Sequence, residues 1–87
     1  MKYMCLWSVT PENMQAATKL FKEGSEPIDG ITQLGRWWYL GPGGGFRLIE
    51  TDDPGAIKKM TRYWQNVMEV EIVPVIDDEE NRKSMRG

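Results

Sequence analysis

Phe46-Arg47-Leu48-Ile49-Glu50-Thr51-Asp52-Asp53-Pro54 reads as a strand that runs straight into a helix. Its first six residues are mostly aromatic, aliphatic or β-branched, the composition of a half-buried strand. Asp53 then offers a carboxylate to cap a helix. Pro54 suits the first helical position, where its missing N–H costs nothing. The same device stands near the start of the chain. Tyr3-Met4-Cys5-Leu6-Trp7-Ser8-Val9 reads as a strand, and Thr10-Pro11-Glu12 as a helix start with an acid near the positive end of the helix dipole. Two strand–cap–proline units in 87 residues suggest a fold built from two similar halves.

The rest of the chain falls between and after these units. Met14, Ala17 and Phe21 repeat at helical spacing with Leu20 beside them, and Gly24 is a helix stop. Ser25 to Gly30 is a loop. Ile31 to Leu40 is a second strand and Gly41-Pro42-Gly43-Gly44-Gly45 a turn, so this strand and the Phe46–Thr51 strand make a hairpin. Ile57, Met60, Trp64 and Val67 form the buried stripe of the second helix, with Lys58, Lys59 and Arg62 on its outer side. Val70 to Ile76 is a fourth strand. The order β-α-β-β-α-β predicts an α+β domain, ferredoxin-like, with a four-stranded antiparallel sheet and both helices on one face. The domain is expected over residues 1–76. Residues 77–87 read as a short charged helix or frayed tail: Asp77 and Glu80 resemble a capping box, and Asp78–Arg82 and Glu79–Lys83 are i,i+4 pairs.

Composition removes several function classes. The formal net charge is −2. Nucleic-acid binding draws on a basic field, so it is disfavoured. Gly45-Phe46-Arg47-Leu48-Ile49 only faintly resembles the aromatic third-strand motif of RNA-recognition domains. There is no His and one Cys, Cys5. That takes away the commonest general base and metal ligand, any intrachain disulfide and any Cys-based zinc site. No metal and no cofactor are expected. The apolar run after Lys2 is broken by Ser8 and shows no signal-peptide pattern. No stretch nears the roughly 20 apolar residues of a membrane helix. A cytoplasmic protein is the expectation.

The strands are apolar on both faces. Met4 and Leu6 lie on one face of the first strand, and Tyr3, Cys5, Trp7 and Val9 on the other. In the second, Trp37 and Tyr39 oppose Leu34, Trp38 and Leu40. In the fourth, Val70, Ile72 and Ile76 oppose Val73 and Val75. A sheet with one wet face should alternate apolar and polar. Two helices cover only one face, so the other calls for a second copy of the chain. A domain this small also buries only about 60% of its unfolded surface, which makes added interface valuable. The expected partner is the chain itself, as a homodimer or higher oligomer. Pro74 suits an edge strand, the place of the last strand in this topology.

Gly35-Arg36-Trp37, Phe46 with Leu48-Ile49-Glu50-Thr51-Asp52-Asp53, Trp64, and Val70-Glu71-Ile72-Val73-Pro74-Val75 resemble a family of short bacterial proteins described as a domain of unknown function in the dimeric α/β-barrel superfamily. The resemblance runs from about Met1 to Glu80. It implies two sheets closing into a dimeric α/β barrel. Relatives in that superfamily include cofactor-free monooxygenases, haem-degrading enzymes, isomerases and ligand-binding regulators. Where some members carry a His after the second-strand Trp, this chain has Trp38, which weakens an acid–base role there.

Candidate site residues follow from residue type and place. The four Trp are many for so short a chain, and each indole N–H needs a partner when buried. Trp7, Trp37, Trp38 and Tyr39 are candidates to line a pocket for a small apolar or aromatic molecule, against plain core packing. Parity puts Trp37 and Trp38 on opposite faces, so only one of them shares a pocket with Trp7. Arg36, Arg47, Glu50 and Glu71 are charges inside strands. Arg36 and Glu50 pair across the hairpin if Leu40 pairs with Phe46. Otherwise Glu50 or Glu71 becomes a base in a dry cavity, with Arg47 holding an anionic substrate and Gln33 nearby. The glycine run lacks the Gly-Lys-Ser/Thr ending and the helix of a phosphate-binding loop and reads as a turn. Asp52 and Asp53 are explained by capping, and Cys5 has no His to activate it. The favoured function is a binding, regulatory or assembly module with an aromatic pocket. The alternative is a cofactor-independent oxygenase or isomerase acting on a small aromatic substrate.

Overall fold

The computed structural model describes residues 1–86, so Gly87, the last residue of the expected tail, lies outside the described residues. The strands are β1 (Lys2–Ser8), β2 (Thr32–Trp38), β3 (Gly44–Glu50) and β4 (Glu69–Val75), and the helices α1 (Met14–Glu23), α2 (Pro54–Trp64) and α3 (Asp78–Arg86). One sheet of order β2-β3-β1-β4 holds all four strands, antiparallel throughout. This is the ferredoxin-like βαββαβ arrangement followed by a third helix. β4 is an edge strand, and Pro74 sits in it opposite Tyr3.

The helix ends follow from the residues that mark them. Asp53 Oδ1 accepts a hydrogen bond from Gly55 N at 2.9 Å, and Pro54 is the first residue of α2. Gly24 closes α1 at φ 67°, a left-handed conformation open to glycine. Thr10 departs from expectation. It precedes a short 3-10 turn, Pro11–Asn13, and its side chain makes no capping bond. α1 proper begins only at Met14.

The hairpin register also differs from the expected one. Trp37, not Leu40, pairs with Phe46; Arg36 stands opposite Arg47; and Thr32 stands opposite Glu50. The ladder slips by one residue between Gln33 and Gly35. The Arg36–Glu50 pair therefore does not form. Two glycines account for the shift. Gly44 and Gly45 belong to β3 rather than to the turn, and Leu40 lies outside β2, fully exposed. A Cβ on Gly45 would run into the Trp37 carbonyl and the Trp7 ring, so only glycine lets these strands close here.

Directly paired residues share a face, which fixes the two sides of the sheet. Tyr3, Cys5, Arg47, Ile49 and Ile72 face the helices, where Cys5, Ile49 and Met60 form the buried core with Ile31 and Ile57 against it. The other side carries Met4, Leu6, Trp37, Phe46, Leu48, Val73 and Val75. Trp37 stacks on Phe46 with centroids 5.2 Å apart, yet stays 52% exposed. α3 does not cover this side. None of its side chains is buried, and it is tied to the sheet through Lys2, which reaches Glu80 at 3.5 Å. The radius of gyration is 14.5 Å, against about 12 Å for a compact domain of this length.

Candidate functional site

Beneath α1, between the sheet and the two helices, lies a cavity of about 360 Å³. β1, β2 and β3 supply its floor. α1 and α2 form its walls, and the loop through Gly41, Pro42 and Gly43 lies at its rim. The lining is mainly apolar: Trp7 and Trp38 from the sheet, Phe21 and Met14 from α1, Met60 and Trp64 from α2.

An ion pair crosses the floor. Arg47, 8% exposed, donates from Nη1 to Glu26 Oε1 at 3.0 Å and from Nη2 to Glu26 Oε2 at 2.6 Å. Arg47 Nη1 also donates to Gln33 Oε1 at 3.4 Å. Trp64 Nε1 donates to Glu26 Oε2, which answers the need of a buried indole N–H. Burial pushes the Glu26 carboxyl up. The hydrogen bonds from Arg47 and Trp64, with the charges of Arg47 and Arg36, more than offset this and hold it below the usual carboxylate range. Cys5 lies beside Arg47 on the same face. Burial pushes its thiol up, and the nearby Arg47 opposes this only in part. At neutral pH the floor therefore holds a bidentate ion pair and a neutral thiol.

Arg36 stands at the outer end of the aromatic wall. Its guanidinium lies 5.4 Å from the centroid of Phe21 and 5.5 Å from that of Trp38. Trp38 meets Phe21 edge to face at 5.5 Å and Trp7 edge to face at 5.3 Å. One exposed cation is thus held on two rings, Phe21 and Trp38, the geometry of cation–π attraction, and Trp7 extends the aromatic row.

Of the residues singled out in the sequence, Trp7, Arg36, Trp38, Tyr39 and Arg47 line the cavity. Gln33 supports it by accepting from Arg47. Trp37 lies on the opposite side of the sheet, so Trp38 is the tryptophan that shares a face with Trp7. Glu50 is exposed, 3.8 Å from Lys2 Nζ. Glu71 is exposed on the side away from the helices, opposite Leu6. Neither glutamate reaches the cavity. Glu26 was not legible as a site residue, because an acid in a Ser-Glu-Pro loop looks solvated. The signal was indirect: Arg47 shares a face with Cys5 and Ile49, and a buried guanidinium requires an acidic partner.

A family model described as "Domain of unknown function (DUF3303)" matches residues 1–87. Among solved structures, the chain is similar to a conserved protein from Methanosarcina mazei Go1. The identity is 19%, with 86% of this chain and 92% of that chain covered and a TM-score of 0.52. It is also similar to a protein from Deinococcus radiodurans described as a "putative antibiotic biosynthesis monooxygenase", at 14% identity, 87% and 92% coverage and a TM-score of 0.46. No curated protein matches. At 19% identity the likeness to the Methanosarcina mazei protein speaks for the fold alone.

Proposed function

The chain belongs to the DUF3303 family, and from that premise we propose that it is a homodimeric binding module that holds a small apolar or aromatic molecule on the helix side of its sheet. The observation that carries this reading is the cavity between Trp7, Trp38 and Trp64, large enough to fall in the range of small-ligand pockets. The dimer forms through the opposite side. Met4, Leu6, Trp37, Phe46, Leu48 and Val73 stand on that side, none of them buried and Trp37 and Val73 exposed, and a second copy presents the same apolar surface. The two activities then use different faces, so dimerisation leaves the cavity open. Among the described residues no helix is long and apolar enough to cross a membrane, and the reading takes the protein as cytoplasmic.

One observation favours a second reading, a cofactor-independent oxygenase or isomerase. Arg47 meets an aromatic wall inside a cavity, as an enzyme for a small aromatic substrate needs. The proton chemistry points the other way. A general base works best with a pKa near the working pH, and Glu26 is shifted away from it by Arg47 and Trp64. The Cys5 thiol is shifted away from its nucleophilic form. Binding is therefore the leading reading.

Native mass spectrometry of the purified protein tests it by weighing subunits and bound molecules together. The expected result is a dimer that takes up one 1-naphthalenemethanol per subunit, with uptake lost in Trp38→Ala. A monomer at micromolar concentration, or no uptake at millimolar probe, overturns the corresponding half. Conversion of the bound aromatic under air would favour the enzyme.

A further inference from the structure

We infer that the cavity selects amphipathic anions: a planar aromatic body carrying one carboxylate, with Arg36 taking the charge. This rests on the binding reading above and narrows its ligand class.

The argument begins with the charges that line the cavity. They are Arg36, Arg47 and Glu26, two cations against one anion, in a chain whose formal net charge is −2. The site is locally positive where the molecule as a whole is negative. The two arginines are not equivalent. Both terminal nitrogens of Arg47 are engaged by Glu26, and Nη1 also by Gln33, so its charge is already answered. Arg36 has no carboxylate within ion-pair distance among the described residues. It is held instead on the faces of Phe21 and Trp38, which orient a guanidinium without neutralising it. A planar fork of free N–H donors beside an apolar cavity matches a carboxylate attached to an aromatic ring. The ring would enter between Trp7, Trp38 and Trp64, where edge and face contacts are available. A cationic ligand of the same shape would meet two arginines. A neutral one would forgo the charge-assisted bond.

Calorimetric titration with three matched probes decides the matter: 1-naphthoate, 1-naphthalenemethanol and 1-naphthylmethylammonium. The expected result is that 1-naphthoate binds the unaltered protein about tenfold more tightly than the alcohol, since hydrogen bonds to charged groups are about twice as strong as neutral ones. Its affinity should fall as salt rises, while that of the alcohol stays constant. Arg36→Gln should bring carboxylate and alcohol within about twofold of one another, and Arg36→Lys, which keeps the charge but loses the planar fork, should keep only part of the preference. Equal binding of carboxylate and alcohol to the unaltered protein, or tighter binding of the ammonium, overturns anion selection and leaves the cavity reading standing. So does a preference that survives Arg36→Gln. Failure of all three probes at millimolar concentration overturns both.

Discussion

Replacing Trp37 by alanine should dissociate the proposed dimer. The side chain stands on the uncovered side of the sheet, 52% exposed. An aromatic side chain of this size carries up to about 250 Å², so roughly 130 Å² remains for a partner to cover. At about 25 cal/mol per Å² that is about 3 kcal/mol per subunit, and two-fold symmetry counts it twice, giving about 6 kcal/mol. Ordering costs at the interface return part of this. A loss between 3 and 6 kcal/mol is expected, and at about 1.4 kcal/mol per decade it weakens the dimer by roughly two to four orders of magnitude. Sedimentation velocity over a range of concentrations reads the change directly. Trp38→Ala is the control: it alters a residue of similar exposure one position away on the cavity side, and should leave the dimer intact. The reasoning fails if Trp37→Ala shifts the dimer dissociation constant less than threefold. It fails equally if the unaltered chain is a well-folded monomer at micromolar concentration whose melting temperature ignores concentration.

Removing either partner of the Arg47–Glu26 pair should be costly, since a buried charge left alone costs about 3 kcal/mol or more; thermal melts of Glu26→Ala should fall by more than about ten degrees. The pair also sets an acid limb. The Glu26 carboxyl sits lower in the folded than in the unfolded chain, so its stabilisation is complete above about pH 4.5 and is lost as pH falls through the folded value. Urea unfolding of Glu26→Gln at stepped pH should show a flatter limb below pH 4.5, and an unchanged limb counts against the shift. Gly45→Ala should unfold the hairpin end of the sheet, because its Cβ meets backbone of β2 and the Trp7 ring; a variant that melts within about two degrees of the parent, a few tenths of a kcal/mol, refutes the close approach. Ending the chain after Asp77 removes α3 with no buried side chain and only the exposed Lys2–Glu80 and Lys83–Glu79 pairs. Such pairs contribute about 0–1 kcal/mol, so calorimetry on the shortened chain should show a small fall in melting temperature.

The order of elements was legible because each half of the chain announces its strand-to-helix junction with a polar residue followed by proline. Asp53-Pro54 delivered the capped helix that its chemistry promises. The same reading at Thr10-Pro11 found the right place but not the 3-10 lead-in, since a proline is equally suited to either first turn. Register was not legible. The glycine run looked like turn throughout, yet Gly44 and Gly45 act as strand residues because their missing side chains make room for Trp7 and Trp38. That need arises from three-dimensional crowding, which spacing along the chain does not record. The three-residue shift that sets Trp37 rather than Leu40 opposite Phe46 removed the Arg36–Glu50 pairing, and the slip at Gln33–Gly35 adds one residue more. In the candidate site, Trp7 and Arg47 were nameable from residue type and place, and parity showed only that one of Trp37 and Trp38 joins Trp7, whereas Glu26 arrives from a loop.

The helix side of the sheet is unusual for a chain this short. A core limited to Cys5, Ala17, Ile49, Ala56 and Met60 is small. The fold nonetheless leaves a hollow under α1 and places an arginine and a glutamate where apolar side chains would pack. Each choice weakens the isolated chain, since an unfilled volume forfeits contacts and a buried ion pair seldom outperforms well-packed hydrophobic residues. If stability were the only demand, substitutions filling the hollow would be an easy gain. The sheet's other side resolves the tension. In the proposed dimer its apolar row supplies the lost stabilisation through contact between two chains, which would free the helix side to remain hollow, charged at its floor and cationic at its mouth. An empty, polar-floored interior and an oily exterior on the same four strands are therefore two consequences of one arrangement, and each is hard to explain without the other.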